Sequence, residues 1–268
     1  MQTIVVDSWE AFEQRLQELR ATMTPAGTPG NFLFRGLSDS SWALTTTLER
    51  ANVEGTRVCE YHGLISRLQP QIESFTGSSW KIPQFPDVER LLKNYPDMGP
   101  GGFPDQATYS YMVHLRHHGF PSPLLDWTRS PYIAAFFAFR SPFKPSADRV
   151  SIYAYWEMPE GSKLTSSGRP WMRYMGQYVR THRRHFLQQC AYTMCVSYES
   201  EWHFAKHESA FEIGEDRQDA LWKFDIPWAE RLKVLGRLDT YNLNAFSLFE
   251  SEECLNETLA LREMQFNK

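Results

Sequence analysis

The sequence predicts one α+β domain, on three observations. Short apolar runs suited to strands recur at Phe32 to Arg35, Leu124-Leu125, Val150 to Trp156 and Leu221 to Ile226. Segments with helical spacing stand between them, as at Tyr109 to His117 and Tyr132 to Arg140. A length of 268 residues with 42% hydrophobic and 15% aromatic side chains is enough to bury a large core. Residues 1–268 are therefore read as a single mixed α+β domain, free of internal repeats and low-complexity stretches.

Residues 1–24 supply an N-terminal helix: Asp7 or Ser8 is its N-cap, and Trp9, Phe12, Leu16 and Leu19 fall on one face. Pro25 to Asn31 is a Pro/Gly turn feeding the Phe32 to Arg35 strand, and polar Ser38 to Trp42 precedes a Leu44 to Arg50 segment. Residues 78–106 collect Pro83, Pro86, Pro96, Pro100 and Pro104 with Gly99, Gly101 and Gly102. That segment reads as a surface insertion, because the motifs on its two sides belong together. After the Tyr109 to His117 helix, Leu124-Leu125 is a short buried strand running into a turn. Ser130-Pro131 then opens the Tyr132 to Arg140 helix, since proline is preorganised for a first helical position. Phe186 to Val196 holds a further strand, Leu221 to Ile226 ends at Pro227, and Trp228 to Arg237 and Glu252 to Gln265 are helical.

Composition excludes several classes. No run approaches the roughly 20 apolar residues of a membrane span, and the N-terminus lacks the basic-then-apolar layout of a secretory signal, so a soluble cytoplasmic protein is expected. The four cysteines, Cys59, Cys190, Cys195 and Cys254, have neither CxxC nor Cys/His ligand spacing, so reduced thiols and no metal are expected. A net charge of −4 argues against a general polyanion binder. Its distribution is uneven: Gly161 to Tyr198 contains no acidic residue but carries Lys163, Arg169, Arg173, Arg180, Arg183 and Arg184 beside His182 and His185. This is either a solvated basic face or a groove for phosphates, with Arg173, Arg180, Arg183 and Arg184 as the candidate nucleic-acid contacts.

Two motifs carry chemistry. In Phe32-Leu33-Phe34-Arg35-Gly36 a strand is expected to end in a guanidinium and a glycine, a place to hold an anion. In His117-His118-Gly119-Phe120-Pro121 through Leu125-Asp126-Trp127-Thr128, Asp126 and Thr128 are expected at a strand end beside a helix N-terminus. Polar side chains and free backbone donors meet a ligand there. Plainer readings stand beside these: Arg35 pairing with Asp126 or Glu49, His117 and His118 packing at a helix end, Asp126 capping the Pro131 helix, and Trp127 in the core.

These motifs resemble the FRG-domain family. The likeness runs through Phe34-Arg35-Gly36, Trp42-Ala43-Leu44, Leu48-Glu49-Arg50, the His117 to Thr128 block and Ala134-Ala135-Phe136-Phe137-Ala138. It continues through Arg184 with Gln188-Gln189 to Leu221–Pro227. The chain departs from the family pattern with Ser122-Pro123 in place of Thr-Arg and Cys190 in place of Gly. The layout is also similar to the arginine-serine-glutamate class of ADP-ribosyltransferases, which implies a mixed-sheet core with flanking helices and NAD as substrate.

By that resemblance Arg35 clamps the NAD pyrophosphate, Thr128 helps place the nicotinamide ribose and Asp126 supports it; Gly36 and His117 join them as cofactor-binding candidates, and His118 and Gln188 are further catalytic candidates. The class's glutamate should fall near Arg183 to Gln189, where no carboxylate stands. Three assignments stay open: Gln188 or Gln189 orients the ribose while Glu199 to Glu201 or Glu250 to Glu252 supplies charge, Asp126 is itself the electrostatic partner, or the fold binds a nucleotide without turning it over. The acceptor expected from the basic stretch is RNA or DNA rather than protein. The resemblance further implies a toxin or antiphage effector with an antitoxin partner. Two other classes compete: a non-catalytic nucleotide or nucleic-acid sensor, and a nuclease using His117, His118 and Asp126, which the absence of a compact carboxylate cluster counts against.

Overall fold

The computed structural model describes residues 1–23, 32–51, 55–94, 102–159, 163, 169–211 and 218–266. The Pro25 to Asn31 turn and the Pro96 to Gly101 part of the 78–106 segment lie outside the described residues. In chain order the elements are β1 (Gln2–Val5), α1 (Trp9–Met23), β2 (Leu33–Leu37), α2 (Thr47–Arg50), α3 (Val58–Thr76), α4 (Phe85–Asn94), α5 (Gln106–His117), β3 (Leu124–Thr128), α6 (Pro131–Phe139) and β4 (Arg149–Trp156). There follow β5 (Trp171–Tyr174), α7 (Arg184–Leu187), β6 (Cys190–Tyr198), β7 (Trp202–Phe204), α8 (His207–Phe211), β8 (Ala220–Pro227), α9 (Arg231–Thr240), α10 (Ala245–Phe249) and α11 (Glu252–Leu261).

The strands form one sheet in the order β1-β8-β4-β2-β3-β6-β5, with β7 also on β6. Only β1 and β8 run parallel among the described pairs, so the sheet is mixed. Its middle is its weak point. β2 pairs with β4 over five residues and β3 with β6 over five, yet β2 meets β3 at the single pair Phe34 and Thr128. The sheet is thus two half-sheets joined at a seam.

Side-chain alternation puts helices over one face of both halves. Trp9, Phe12 and Leu16 of α1, with Ile133 to Phe139 of α6 and residues of α9 to α11, pack on Phe34, Ile152 and Phe224. Beside them, Tyr61 and Ile65 of α3, Val88 and Leu92 of α4 and Tyr111 to Leu115 of α5 pack on Leu124, Tyr192 and Met194. The opposite face buries Leu33, Leu37, Leu125, Trp127, Tyr153 and Tyr155 under Ala210 and Phe211 of α8. Full burial of one such large apolar side chain contributes about 1.5–3 kcal/mol.

Local signals explain most boundaries. Ser8 Oγ accepts from Ala11 N at the start of α1, Thr46 and Glu49 form a capping box on α2, Asp105 caps α5 and Ser130 caps α6 ahead of Pro131. Two expectations need correction. The N-terminal segment is not all helix, because Gln2–Val5 adds as an edge strand beside β8. The 78–106 segment contains α4, whose buried Val88 and Leu92 lie four apart on one helical face and join the core. The strand expected within Phe186 to Val196 is β6, which begins at Cys190 after the short α7 turn. No helix among the described residues is long and apolar enough to cross a membrane.

Candidate functional site

β2 and β3 bring the two motifs together at the seam; Thr128 closes β3 just ahead of α6, as expected, but Arg35 does not stand at a strand end. Arg35 sits in the middle of β2, opposite Tyr153 of β4, and shares with Leu33 and Leu37 the face covered by α8. Its guanidinium reaches through the seam: Nη1 donates to the main-chain carbonyl of Asp126 at 2.6 Å and to its carboxylate at 2.8 Å. Arg35 therefore bridges the strands just past their one ladder pair. From the helix side, Arg116 in the last turn of α5 donates Nη2 to the same carboxylate oxygen at 2.6 Å.

Gly36 serves no turn. A Cβ built there would lie 1.9 Å from the Ala134 carbonyl oxygen and 2.7 Å from Ala138 N, so its lack of a side chain is what lets α6 cross directly on β2.

A cavity of about 190 Å³ opens over the seam, lined by Phe34, Arg35, Gly36, Leu37, Ser38, Trp42, Asp126, Trp127, Thr128, Phe137, Gln188 and Cys190. Asp126 is its one carboxylate among the described lining residues. Burial works to raise the Asp126 pKa, but the Arg35 and Arg116 guanidiniums outweigh it and hold the carboxyl well below the usual range. It is therefore a fixed anion, unsuited to deliver a proton near neutral pH. Two cations face this one anion, and Nε of both arginines is buried without a hydrogen-bond partner. Arg50, at the end of α2, adds a third guanidinium close enough to be influenced by both. The corner favours an anion.

The other expected residues divide. Thr128 and Gln188 line the cavity, but Thr128 Oγ1 donates to the Gln188 carbonyl at 2.7 Å and Gln188 Nε2 donates to the Leu248 carbonyl at 3.1 Å, so both donors are committed to the scaffold. Trp127 is core, its Nε1 donating to Thr193 Oγ1 at 2.8 Å. Ser130, not Asp126, caps α6.

Neither expected histidine lines the cavity. Nε2 of His117 meets the Tyr192 hydroxyl at 2.8 Å, and burial pushes its pKa down to about 4. His118 is exposed and stacks by His114, with ring centroids 4.4 Å apart, because it lies four residues on along the same turn.

Of the basic residues, Arg173 donates to the Phe103 carbonyl, Arg183 pairs with Glu250 at 2.9 Å, Arg184 packs over the Phe249 ring, and Arg180 is exposed. The first of the acidic tripeptides pairs through Glu201 with Arg57, and neither tripeptide lines the cavity.

Sequence reasoning missed Arg116 and Trp42 as site residues. Arg116 directly precedes the His117-His118 motif, and its position one helical turn after Met112 and Val113 of a buried helix was the available signal. Trp42 lines the cavity while 54% exposed, which places an aromatic face at its mouth.

A larger cavity, about 580 Å³, lies alongside and shares Ser38 and Phe137 with the first. It is lined by apolar side chains of α6, α9 and α11; Arg140 pairs with Glu257, Asp239 pairs with Arg262, and Arg231 is spent on hydrogen bonds to the Ser141 and Arg140 carbonyls and Gln265. The seam, with its excess of cations, is the better candidate for recognition chemistry.

With this geometry in place, residues 30–147 match the family model of the FRG domain. The chain carries an FRG domain, and the match takes in β2, α5, β3 and α6, the elements that build the seam. It stops before Arg184 and Gln188. No curated protein and no solved structure matches the chain.

Proposed function

We propose that the seam cavity binds NAD and that the protein transfers ADP-ribose from it to a macromolecule. The observation that carries this is the pair of guanidiniums, Arg35 and Arg116, converging on one cavity-facing carboxylate. A diphosphate competes for the same donors: Arg35 and Arg116 turn to its oxygens through charge-assisted hydrogen bonds, and Asp126 is released towards the reacting ribose. The bond from ribose C1′ to the nicotinamide nitrogen breaks with its electrons leaving on nicotinamide. The anionic Asp126 stabilises the cationic character at C1′, and an acceptor oxygen or nitrogen bonds to C1′ while its proton passes to water.

The cavity is smaller than the 300–1,000 Å³ typical of ligand sites. The dinucleotide therefore extends past Phe137 into the adjoining groove, with Trp42 available as a stacking surface.

For acceptor, exposed Arg180 stands two residues from Tyr178, which is 84% exposed, and six from Phe186, 65% exposed; cations interleaved with aromatic faces suit single-stranded RNA or DNA. In this reading the protein is a toxin or antiphage effector held by an antitoxin partner and works in the cytoplasm.

A second reading has its own support. With the Asp126 charge answered twice and the Thr128 and Gln188 donors committed, the cavity suits a nucleotide sensor that performs no chemistry.

Incubation with labelled NAD and separate RNA, DNA and protein fractions, beside folded Arg35→Ala and Asp126→Asn variants, tests both. Nicotinamide release and label transfer that vanish in both variants support the transferase. NAD binding without release by the wild-type chain assigns the sensor, and neither binding nor release removes both readings.

A further inference from the structure

Next to the seam, His117 at the end of α5, His185 in α7 and Cys190 at the start of β6 bring their donor atoms within 4.8 Å of one another. Tyr192, two residues along β6 on the same face as Cys190, puts its fully buried hydroxyl among them, 2.8 Å from His117 Nε2 and 3.4 Å from His185 Nδ1. We propose that these four side chains form a binding site for a borderline-soft divalent cation, zinc or a close analogue. This assignment stands independently of the transferase reading and departs from the metal-free expectation that sequence spacing gave.

The tautomers favour it. Nε2 of His185 lies 2.9 Å from the Gln177 carbonyl, which can only accept, so Nε2 carries the hydrogen and Nδ1 turns its lone pair to the cluster. A second-sphere carbonyl on the far nitrogen is the usual support of a metal-bound imidazole. The Cys190 thiol makes a weak contact, 3.8 Å to Gln188 Oε1, and interacts with the Tyr192 hydroxyl inside the cluster.

Bonds of 2.0–2.3 Å to a tetrahedral ion imply donor separations of roughly 3.3–3.8 Å, so the His117, His185 and Cys190 atoms, within 4.8 Å of one another, need close by at most about 1–1.5 Å, while the Tyr192 hydroxyl, 2.8 Å from His117 Nε2, opens by about 0.5–1 Å. Two imidazole nitrogens, a sulfur and an oxygen select zinc over magnesium or calcium, which take oxygen donors. On binding, the Cys190 thiol and the Tyr192 hydroxyl each lose a proton to solvent. The resulting thiolate and phenolate cancel the dipositive charge, which suits a buried position. Cys190 also lines the seam cavity, which supplies the entry path.

The test uses the full chain after chelator treatment and dialysis, titrated with Zn²⁺ against a chromophoric indicator and with Co²⁺ by absorption. About one Zn²⁺ per chain, a thiolate-to-cobalt band in the near ultraviolet and about two protons released per ion in weak buffer are expected. Cys190→Ser, close to isosteric, should lose the band and weaken Zn²⁺ at least ~10-fold, and His185→Asn should weaken it similarly. Tyr192→Phe should halve the proton release. Folding of each variant is checked by circular dichroism. A folded wild-type chain that retains no Zn²⁺, a cobalt complex lacking the thiolate band, Cys190→Ser binding with wild-type affinity, or Tyr192→Phe releasing as many protons as the wild type would each overturn the assignment.

Discussion

Gly36→Ala is the sharpest perturbation of the seam, because one methyl group must enter where β2 and α6 touch. Its Cβ would stand 1.9 Å from the Ala134 oxygen, whereas ordinary contact begins at 3.4 Å, so α6 must retreat by about 1.5 Å or tilt. The obstacle is backbone on a helix whose Ala134, Ala135 and Ala138 are fully buried, so no flexible side-chain tip can yield instead. Overpacking of this kind costs about 1–3 kcal/mol, and a clash with main-chain atoms belongs at the top of that range. At about 2–4 °C per kcal/mol for a chain of this size, Tm should fall by roughly 6–12 °C. Gly236→Ala is the matched control. Its Cβ would meet Phe266 only at 3.8 Å inside α9, so removing a helix-interior glycine should raise stability by about 0.5–1 kcal/mol. Thermal melts by circular dichroism read both. A Gly36→Ala Tm within about 2 °C of wild type would refute the argument that direct β2–α6 contact requires this glycine.

Three further outcomes follow from the same geometry. The Asp126 pKa lies below that of an unfolded carboxyl, about 3.9, so its contribution is complete above that pH and fades as pH falls towards the folded value. With 41% of its side chain open, Asp126→Asn should cost roughly 1–3 kcal/mol near neutrality, less than a fully buried pair. Urea midpoints between about pH 3 and 7 should then fall less steeply than in wild type, and parallel slopes would contradict the linkage. Ser130→Ala removes the α6 cap and should cost about 1 kcal/mol, read as a lower urea midpoint at unchanged slope. Trp127→Phe strands the buried Thr193 hydroxyl and should cost about 1–3 kcal/mol, read as a lower urea midpoint, so an unchanged midpoint would contradict the weight given to that bond.

The parts of the fold legible in the sequence are those whose signals are local. Trp9, Phe12 and Leu16 announce α1 by spacing, and Ser130-Pro131 announces α6 by its cap. β1 was not legible: four residues with no buried member become a strand only because β8 offers its edge. α4 was hidden for a related reason, since Pro83 and Pro86 read as loop although proline is tolerated in a helix's first turn.

The site was half legible for a different physical reason. Sequence singles out Arg35 and Asp126 by residue type, but whether a guanidinium binds a ligand or a carboxylate depends on distances that no spacing along the chain encodes. The chain separation of Arg35, Arg116 and Asp126 hides a cluster held within 2.8 Å. Conversely, His117 and His118 are adjacent in sequence and separate in role, because consecutive residues leave a helix about 100° apart. One turns inward to Tyr192 and the other outward to His114. Adjacency in a motif therefore carries no information about a shared function at a helix end, whereas convergence across a sheet seam does. On that ground Arg116 has the stronger claim to the site than either histidine.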